Sequence, residues 1–389
     1  MNIQSIRLHQ FRNYKQEEIS FPKSIIILYG KNGQGKTNLL EALYMGGIGK
    51  SYRGIADSDL IQWDRNDASI IINFFRNGVE QQIKIIISKL TKKELWINET
   101  KVSQRELVGT LNEVVFSPED LQLIKGSPSL RRRFMDMEIS QVNPTYYREL
   151  LQYNRAISQR NLLLKKMKYE GLFSIEEWDH QIASFAAAIV KKRITALHKI
   201  SFLSGVIHRR LTKGRERLTM SYIQPYDGIH DADQDYRCDA AWYYQLLQEH
   251  LHEDIHRMAT SVGPHRDDLA FAVDGADLKK FGSQGQQRTA VLALKLSELE
   301  YVKSETGEYP VLLLDDVMSE LDAARRDALL EFVRERIQTF ITTTEPIIFE
   351  SIPGYHYICI EKGKVKGNGR MDAYIGKSGN GDSENTRRT

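Results

Sequence analysis

Gly30-Lys31-Asn32-Gly33-Gln34-Gly35-Lys36-Thr37 is a complete GxxxxGKT phosphate-binding loop. An apolar run, Ile25-Ile26-Ile27-Leu28-Tyr29, precedes it and reads as a buried strand. Asn38-Leu39-Leu40-Glu41-Ala42-Leu43 follows and reads as the start of a helix. Strand, glycine loop and helix are the context this motif needs. Glycines let several backbone N–H groups close around phosphate oxygens, and the helix N-terminus adds partial positive charge. In such loops the lysine, here Lys36, reaches the β- and γ-phosphates, and the hydroxyl, here Thr37, ligates Mg²⁺. The stretch therefore predicts a nucleoside triphosphate site built from Gly30 through Asn38.

Outward from the loop, the chain of 389 residues has room for about two domains. Hydrophobic content of 41% and charged content of 27% are those of an ordinary globular protein. A net charge of +3 says little about partners, so nucleic-acid binding has to be argued from local clusters. Cys238 and Cys359 form no metal-binding spacing and suit a reducing cytoplasm. Met1-Asn2-Ile3-Gln4-Ser5 has no apolar signal core, and no run is long enough to span a bilayer, so a cytoplasmic location is expected.

Around the loop, residues 3–9, 69–75, 81–88 and 94–98 read as strands, with Asn77-Gly78 and Asn98-Glu99 at turns. This predicts an antiparallel subdomain beside a parallel core. Pro118 and Pro128 mark two helix entries. The second leads into Arg131, Arg132 and Arg133, which could contact phosphate or pair with acidic neighbours such as Asp136. From about Pro144 to Met258 the pattern turns helical. Trp178, Ile182, Phe185, Ile189, Ala196, Ile200 and Leu203 predict one long helix over 175–210, with Gly171 at the turn before it. The same helix is expected to carry Lys191, Lys192, Arg193, His208, Arg209, Arg210, Lys213, Arg215 and Arg217, a cluster that could follow a nucleic-acid backbone or form a solvated face. The acidic span 224–240 reads as an exposed loop, and 241–258 as a third helix keeping Tyr244, Leu247, Leu251, Ile255 and Met258 together. His265 has no metal spacing around it and reads as structural.

The last third supplies partners for the loop. Ser283-Gln284-Gly285-Gln286 opens a long apolar helix and could form a second anion-binding helix end. Val311-Leu312-Leu313-Leu314 is a buried strand ending in Asp315 and Asp316. A carboxylate there, Asp315, suits Mg²⁺ binding beside the loop, and Asp316 could orient the attacking water. Lys36, Asp315 and Asp316 are thus the candidate catalytic residues, with Thr37 and Asp315 as metal ligands. Thr339 to Thr344 reads as another strand ending near the γ-phosphate position.

The order of these motifs resembles that of the ABC-type ATPases. Pro118-Glu119, Gly126-Ser127-Pro128, Arg131-Arg132 and Phe134-Met135-Asp136 resemble one signature of the RecF family of bacterial DNA replication and repair ATPases. Asp315-Asp316-Val317-Met318-Ser319-Glu320-Leu321-Asp322, with Arg325 and Leu329, resembles the other. The likeness runs from residue 1 to about 375. It implies an α/β fold, an ABC-type P-loop ATPase head with mixed sheets like those of Rad50 and structural-maintenance-of-chromosomes proteins. The head is expected over 1–128 and 256–376, a helical insertion over 129–255 and a disordered polar tail over 377–389. The resemblance also implies ATP and Mg²⁺ as cofactors and an ATP-induced homodimer, with Ser283, Gly285 and Gln286 of one copy facing the loop of the other. Arg12 resembles an arginine near the nucleotide phosphates. Family members bind gapped DNA or single/double-strand junctions and work with RecO and RecR to load RecA recombinase.

Three departures from related heads bear on rate. Asp316 stands where most ABC proteins carry Glu, Thr343 or Thr344 where a switch-strand histidine is expected, and no glutamine stands at Ser117 to Glu119, where related heads place one. Slow hydrolysis follows, well under the median enzyme turnover of about 10 s⁻¹. Two other classes share part of the pattern. The ATPase subunit of a membrane transporter shares the phosphate motifs but leaves the long insertion and Arg131-Arg132 without a task. A small-molecule P-loop kinase leaves the Ser283 loop without one.

Overall fold

Alternating apolar residues build the first strands of the chain, each with one face in a core and one toward solvent. A computed structural model describes residues 1–22, 25–171, 174–226, 228–230, 238–346 and 355–369. Numbered along the chain, β1 (Asn2–Phe11), β2 (Tyr14–Ser20) and β3 (Ile25–Tyr29) precede the glycine loop, and α1 (Lys36–Ile48) follows it. Next come β4 (Asp67–Arg76), β5 (Val79–Ser88), β6 (Glu94–Ile97), β7 (Thr100–Val102), α2 (Gln104–Leu107) and β8 (Glu113–Phe116). A helical stretch holds α3 (Gln122–Lys125), α4 (Pro128–Val142), α5 (Pro144–Glu170) and α6 (Glu176–Leu211). It continues through β9 (Leu218–Gln224), β10 (Gly228–His230), α7 (Ala240–Glu249), α8 (Leu251–Arg257), β11 (Asp268–Val273), β12 (Ala276–Asp277), α9 (Leu278–Phe281) and α10 (Gln284–Thr306). Then β13 (Val311–Leu314), α11 (Ala323–Val333), β14 (Thr339–Thr343), β15 (His356–Glu361) and β16 (Lys364–Gly369) complete the described residues.

The chain divides into two compact units: residues 1–118 with 308–389, and residues 119–307. The first unit holds two six-stranded sheets. One is antiparallel, in the order β2-β1-β4-β5-β6-β7. Ile70, Ile72 and Phe74 of β4 and Ile83, Ile85 and Ile87 of β5 are buried on its inner face. The other runs β16-β15-β3-β14-β13-β8, with every pairing parallel except that of β15 and β16. Ile25 to Leu28 and Val311 to Leu314 are buried without alternation, as strands covered on both faces should be. Helix α1 packs against β4 and β5 of one sheet and β8 and β14 of the other. Eleven of its 13 residues are consequently buried. The antiparallel subdomain and parallel core expected from the sequence are both present.

The second unit is built on α6, which runs roughly 54 Å at 1.5 Å per residue and packs against α5, α7, α10 and β9. Ile182, Ile189, Ala196 and Ile200 of its apolar stripe are buried. Gly171, with φ 104°, stands at the turn before it.

Four expectations for this unit change. The helical stretch contains a strand: Leu218, Met220, Tyr222 and Gln224 of β9 point inward, and β9 pairs with β10 and β11 in the four-stranded sheet β10-β9-β11-β12. Helix α6 ends at Leu211, so Lys213, Arg215 and Arg217 lie beyond it. The expected third helix breaks at His250, and its buried residues are Tyr243, Leu246, Leu247 and Asp254, so that of the Tyr244 series Leu247 alone is buried. Asp254 goes inward because it accepts from Arg160 Nη1 at 2.6 Å, deep beside Asp179. The unit boundaries also fall at 118/119 and 307/308, not at 128/129 and 255/256, because α10 packs along α6. The expected disordered tail, 377–389, lies outside the described residues, as do 227 and 231–237 of the loop expected over 224–240; Gly228–His230 of that span forms β10 instead of loop.

Candidate nucleotide-binding site

The backbone conformation of the loop explains its glycines. Gly35 has φ 117°, and a Cβ there would come within 2.7 Å of Asn13 Nδ2. Gly30 has φ 147°, and a Cβ there would lie 2.3 Å from the carbonyl oxygen of Ile360. No side chain caps α1 at Gly35, and its first turn carries no acidic residue. Its leading N–H groups are therefore left for an anion. Lys36 Nζ donates to the carbonyls of Gly30 (2.6 Å) and Lys31 (3.0 Å), which keeps the ammonium inside the loop. Burial pulls its pKa down, against the opposing charges of Asp316 and Asp315.

Two hairpin turns brace the loop from outside. From the turn between β1 and β2, Asn13 Nδ2 donates to Gln34 O (2.8 Å) and Tyr14 Oη to Gly35 O (2.9 Å). Asn38 Nδ2 donates to Asn13 Oδ1 at 2.9 Å. From the turn between β15 and β16, the N–H groups of Lys362 and Gly363 donate to Gln34 Oε1 and Gln34 O. Gln34 is thus a structural hub of the loop. Gln34 Nε2 also donates to the Asn32 carbonyl at 3.4 Å, and Gly33 has open space where a Cβ would stand.

Across the parallel sheet, Thr37 Oγ1 donates to Asp315 Oδ1 at 2.9 Å, joining residues 278 positions apart. Thr342 Oγ1, on β14, reaches the same oxygen at 3.0 Å. Tyr52 Oη donates to Asp315 Oδ2 at 2.7 Å. Burial, then the charge of Asp315, raises the Tyr52 phenol pKa, so it remains a donor. Asp316 is exposed, in a left-handed conformation with φ 54°, and its N–H donates to Thr342 Oγ1 at 2.8 Å. Partial desolvation of its carboxylate first and the charge of Asp315 second raise its pKa, against Lys36. Hydroxyl and carboxylate oxygens converging at Thr37 and Asp315 suit a hard cation such as Mg²⁺. The ammonium and uncapped helix end beside them suit a polyphosphate.

Arg12 is engaged on the protein itself. With φ 52°, it gives Nε and Nη2 to Glu41 at 3.0 and 3.1 Å, and Nη1 to the carbonyl of Asp59 at 3.0 Å. Glu41 is fully buried on α1, one turn beyond Thr37, and also accepts from Ser51 Oγ.

With this geometry in place, comparison with known proteins is decisive. The family described as RecF/RecN/SMC N terminal domain matches residues 2–365. The DNA replication and repair protein RecF of Acetivibrio thermocellus is 42% identical over 370 residues, covering 94% of this chain and all of that one. That of Clostridium acetobutylicum is 41% identical over 345 residues, 88% of this chain and 93% of its own. The chain belongs to the RecF family. A solved structure described as the recombination mediator protein RecF with ATP in the RecFOR pathway superposes with a TM-score of 0.85 at 36% identity, over 94% of this chain and 96% of that one. The Smc head domain of Pyrococcus furiosus shares the fold alone, at TM-score 0.55 and 17% identity, over 97% of this chain and 98% of that one. The ABC-type head expected from the motif order is thus the fold of this RecF-family chain.

The RecF-like arginine signature has a structural task here. Arg131 Nε and Nη2 pair with Asp268 at 2.7 and 2.8 Å, and Arg132 Nη1 donates to the carbonyl of Asp267 at 2.6 Å. Asp136 pairs instead with Arg193, which is buried and also reaches Pro264 O and Tyr222 Oη. Arg193 therefore belongs to neither a solvated face nor a nucleic-acid contact, whereas Arg209 and Arg210 are exposed. His265 bonds Tyr153 Oη and the Thr260 carbonyl, and burial lowers its pKa to about 4, the structural role expected of it.

Ser283, Gly285 and Gln286 stand in the second unit, the loop in the first. Ser283 caps α10, accepting from the Gln286 N–H at 3.2 Å, while Gln286 Oε1 accepts from the Ser283 N–H at 2.9 Å. Gln286 Nε2 also donates to Glu216 at 3.0 Å. Sequence reading did not single out Asn13, Tyr14, Tyr52 or Thr342 for the site. They carry no motif of their own, and only tertiary contact marks them.

Proposed function

We propose that this RecF-family chain is an ATP- and Mg²⁺-dependent DNA-binding protein of recombinational repair and replication restart. It binds gapped DNA, forms a homodimer on ATP, and works with RecO and RecR to load RecA. The observation that carries the reading is the 2.9 Å contact between Thr37 and Asp315, which unites the two halves of a nucleotide site from opposite ends of the chain. It is supported by the relatives named as DNA replication and repair proteins and by the similar RecF described with ATP in the RecFOR pathway.

In this reading, the N–H groups of the loop and Lys36 hold the phosphates, with Gly30 to Asn38 as the cradle. Thr37 and Asp315 hold Mg²⁺, which when bound supplies positive charge to the phosphate oxygens. Asp316 orients the attacking water. Being one methylene shorter than Glu, it holds that water less well, which gives slow, DNA-responsive turnover and suits a clamp. Arg12 approaches the phosphates only by loosening its hold on Glu41. Ser283, Gly285 and Gln286 contribute from the second copy, so the capping bonds of α10 rearrange in the dimer.

The test is sedimentation of wild type and Lys36→Ala with ATP, with ADP and without nucleotide, each with and without a gapped duplex. Wild type is expected to double its mass only with ATP and to hold DNA more tightly in that state. Lys36→Ala stays monomeric. Wild type that remains a monomer with ATP and ignores DNA would overturn the reading.

A further inference from the structure

The nucleotide site contains a contact outside the recognised motifs. Tyr52 lies in the loop after α1, and its phenol donates to Asp315 Oδ2 at 2.7 Å. The opposite oxygen, Oδ1, is shared by Thr37 and Thr342, at 2.9 and 3.0 Å. A carboxylate offers about four lone-pair directions, and rotation about its terminal torsion is broad and roughly two-fold. Two hydroxyls on one oxygen do not fix that rotation. A third donor on the other oxygen does.

The phenol is itself held in place. The Tyr52 ring packs edge-to-face on Tyr44 of α1, with centroids 5.4 Å apart at 81°. The preceding residue, Ser51, is buried and donates to Glu41, while its Oγ accepts the Arg53 N–H at 3.1 Å. The loop is therefore fastened to α1 by Ser51 and to the end of β13 by Tyr52.

We propose that Tyr52 is a positioning residue for Mg²⁺: its hydroxyl fixes the plane of the Asp315 carboxylate so that the lone pair left on Oδ2 faces the cation held with Thr37. This rests on the nucleotide-site reading above. Hydrogen-bond partners of metal-binding carboxylates are worth about 10–100-fold in metal affinity when removed. Tyr52 does not touch the reacting atoms, and its effect passes through Asp315.

The experiment is isothermal titration of ATP into the full-length protein across a Mg²⁺ series, with an EDTA arm, for wild type, Tyr52→Phe and Ser51→Ala. Phenylalanine keeps the ring against Tyr44 and removes only the hydroxyl. Tyr52→Phe is expected to raise the Mg²⁺ midpoint about 10-fold while leaving ATP affinity in EDTA and the melting temperature as in wild type. Ser51→Ala, which frees the loop from Glu41 but keeps the phenol, leaves the midpoint within about twofold of wild type. A Tyr52→Phe midpoint equal to wild type overturns the proposal. So does an equal shift in both variants, which would make loop placement, rather than the phenol, the cause. Wild type that fails to bind ATP at any Mg²⁺ concentration defeats the underlying site reading instead, and is told apart because no midpoint exists.

Discussion

Glu41 is a buried acidic residue on α1 that takes two of its hydrogen bonds from a single partner. Its side chain is wholly buried, and Arg12, 18% exposed, gives it two of its donors. Removing one partner of a buried pair leaves an uncompensated charge, which costs about 3–5 kcal/mol. Arg12→Ala is therefore expected to lower unfolding free energy by about 3 kcal/mol in urea titration. Arg12→Ala with Glu41→Gln should recover part of that loss, because the charge needing compensation is gone. Equal losses in the single and double variants would show that Arg12 acts through packing alone. The same residue was legible in the sequence only as a family resemblance. Nothing in its spacing points to Glu41, which stands 29 residues later.

At the scale of elements, the junction of α4 and α10 buries like charges together. Glu138 and Glu298 are both buried, with Lys295 donating to Glu298 at 3.0 Å and lying 3.5 Å from Asp120. Burial pushes the Glu138 carboxyl up to about 7, against the pull of Lys295, and raises Glu298 as well. The folded state thus keeps a proton that the unfolded chain releases near the ordinary carboxylate value of about 4.3. The stabilisation is fully present below that value and is lost as pH rises through about 7. Melting temperature should therefore fall between pH 6 and pH 8. Glu138→Gln should be the more stable protein at pH 8, by a few degrees, with a flatter profile. An unchanged slope in thermal melts across that range would sink this assignment. His265, lowered to about 4 by burial, works the other way: its contribution is fully present above the unfolded value of about 6.5 and is lost as pH falls through about 4, so it opposes the glutamate's slope at the lower edge of this window, and the comparison of wild type with Glu138→Gln isolates the glutamate. The helices themselves were legible from 3.6-residue periodicity. The buried ionic groups that shift their faces, such as Asp254, were not.

For the whole molecule, the division into two units sets the central prediction. Ser283 caps α10 in one unit, and the phosphate loop lies in the other. If the cap of one copy serves the loop of the next, Ser283→Arg abolishes ATP-dependent dimerisation while Lys36 still binds nucleotide. The same substitution removes a capping hydroxyl, so a stability loss of about 1 kcal/mol is expected alongside. Sedimentation with ATP, paired with nucleotide titration of the monomer, separates the two effects. A variant that still dimerises on ATP rules out Ser283 at that interface.

What the sequence by itself determined was local. Gly30 to Thr37, the unbroken apolar runs of β3 and β13, and the alternation in β4 and β5 depend on near neighbours, so a linear reading finds them. β9 alternates too, in Leu218-Thr219-Met220-Ser221-Tyr222, but the helical periodicity on both sides masked it. Only the tertiary structure decided which charges are paired. Arg131 takes Asp268 rather than Asp136, Arg193 is buried rather than solvated, and Asp315 is held by Thr342 and Tyr52 as well as by the expected Thr37. Hydrogen bonds and ion pairs depend on positions in space to within a few tenths of an ångström. Chain folding brings such partners together from tens to hundreds of residues away, and residue type alone does not choose among them.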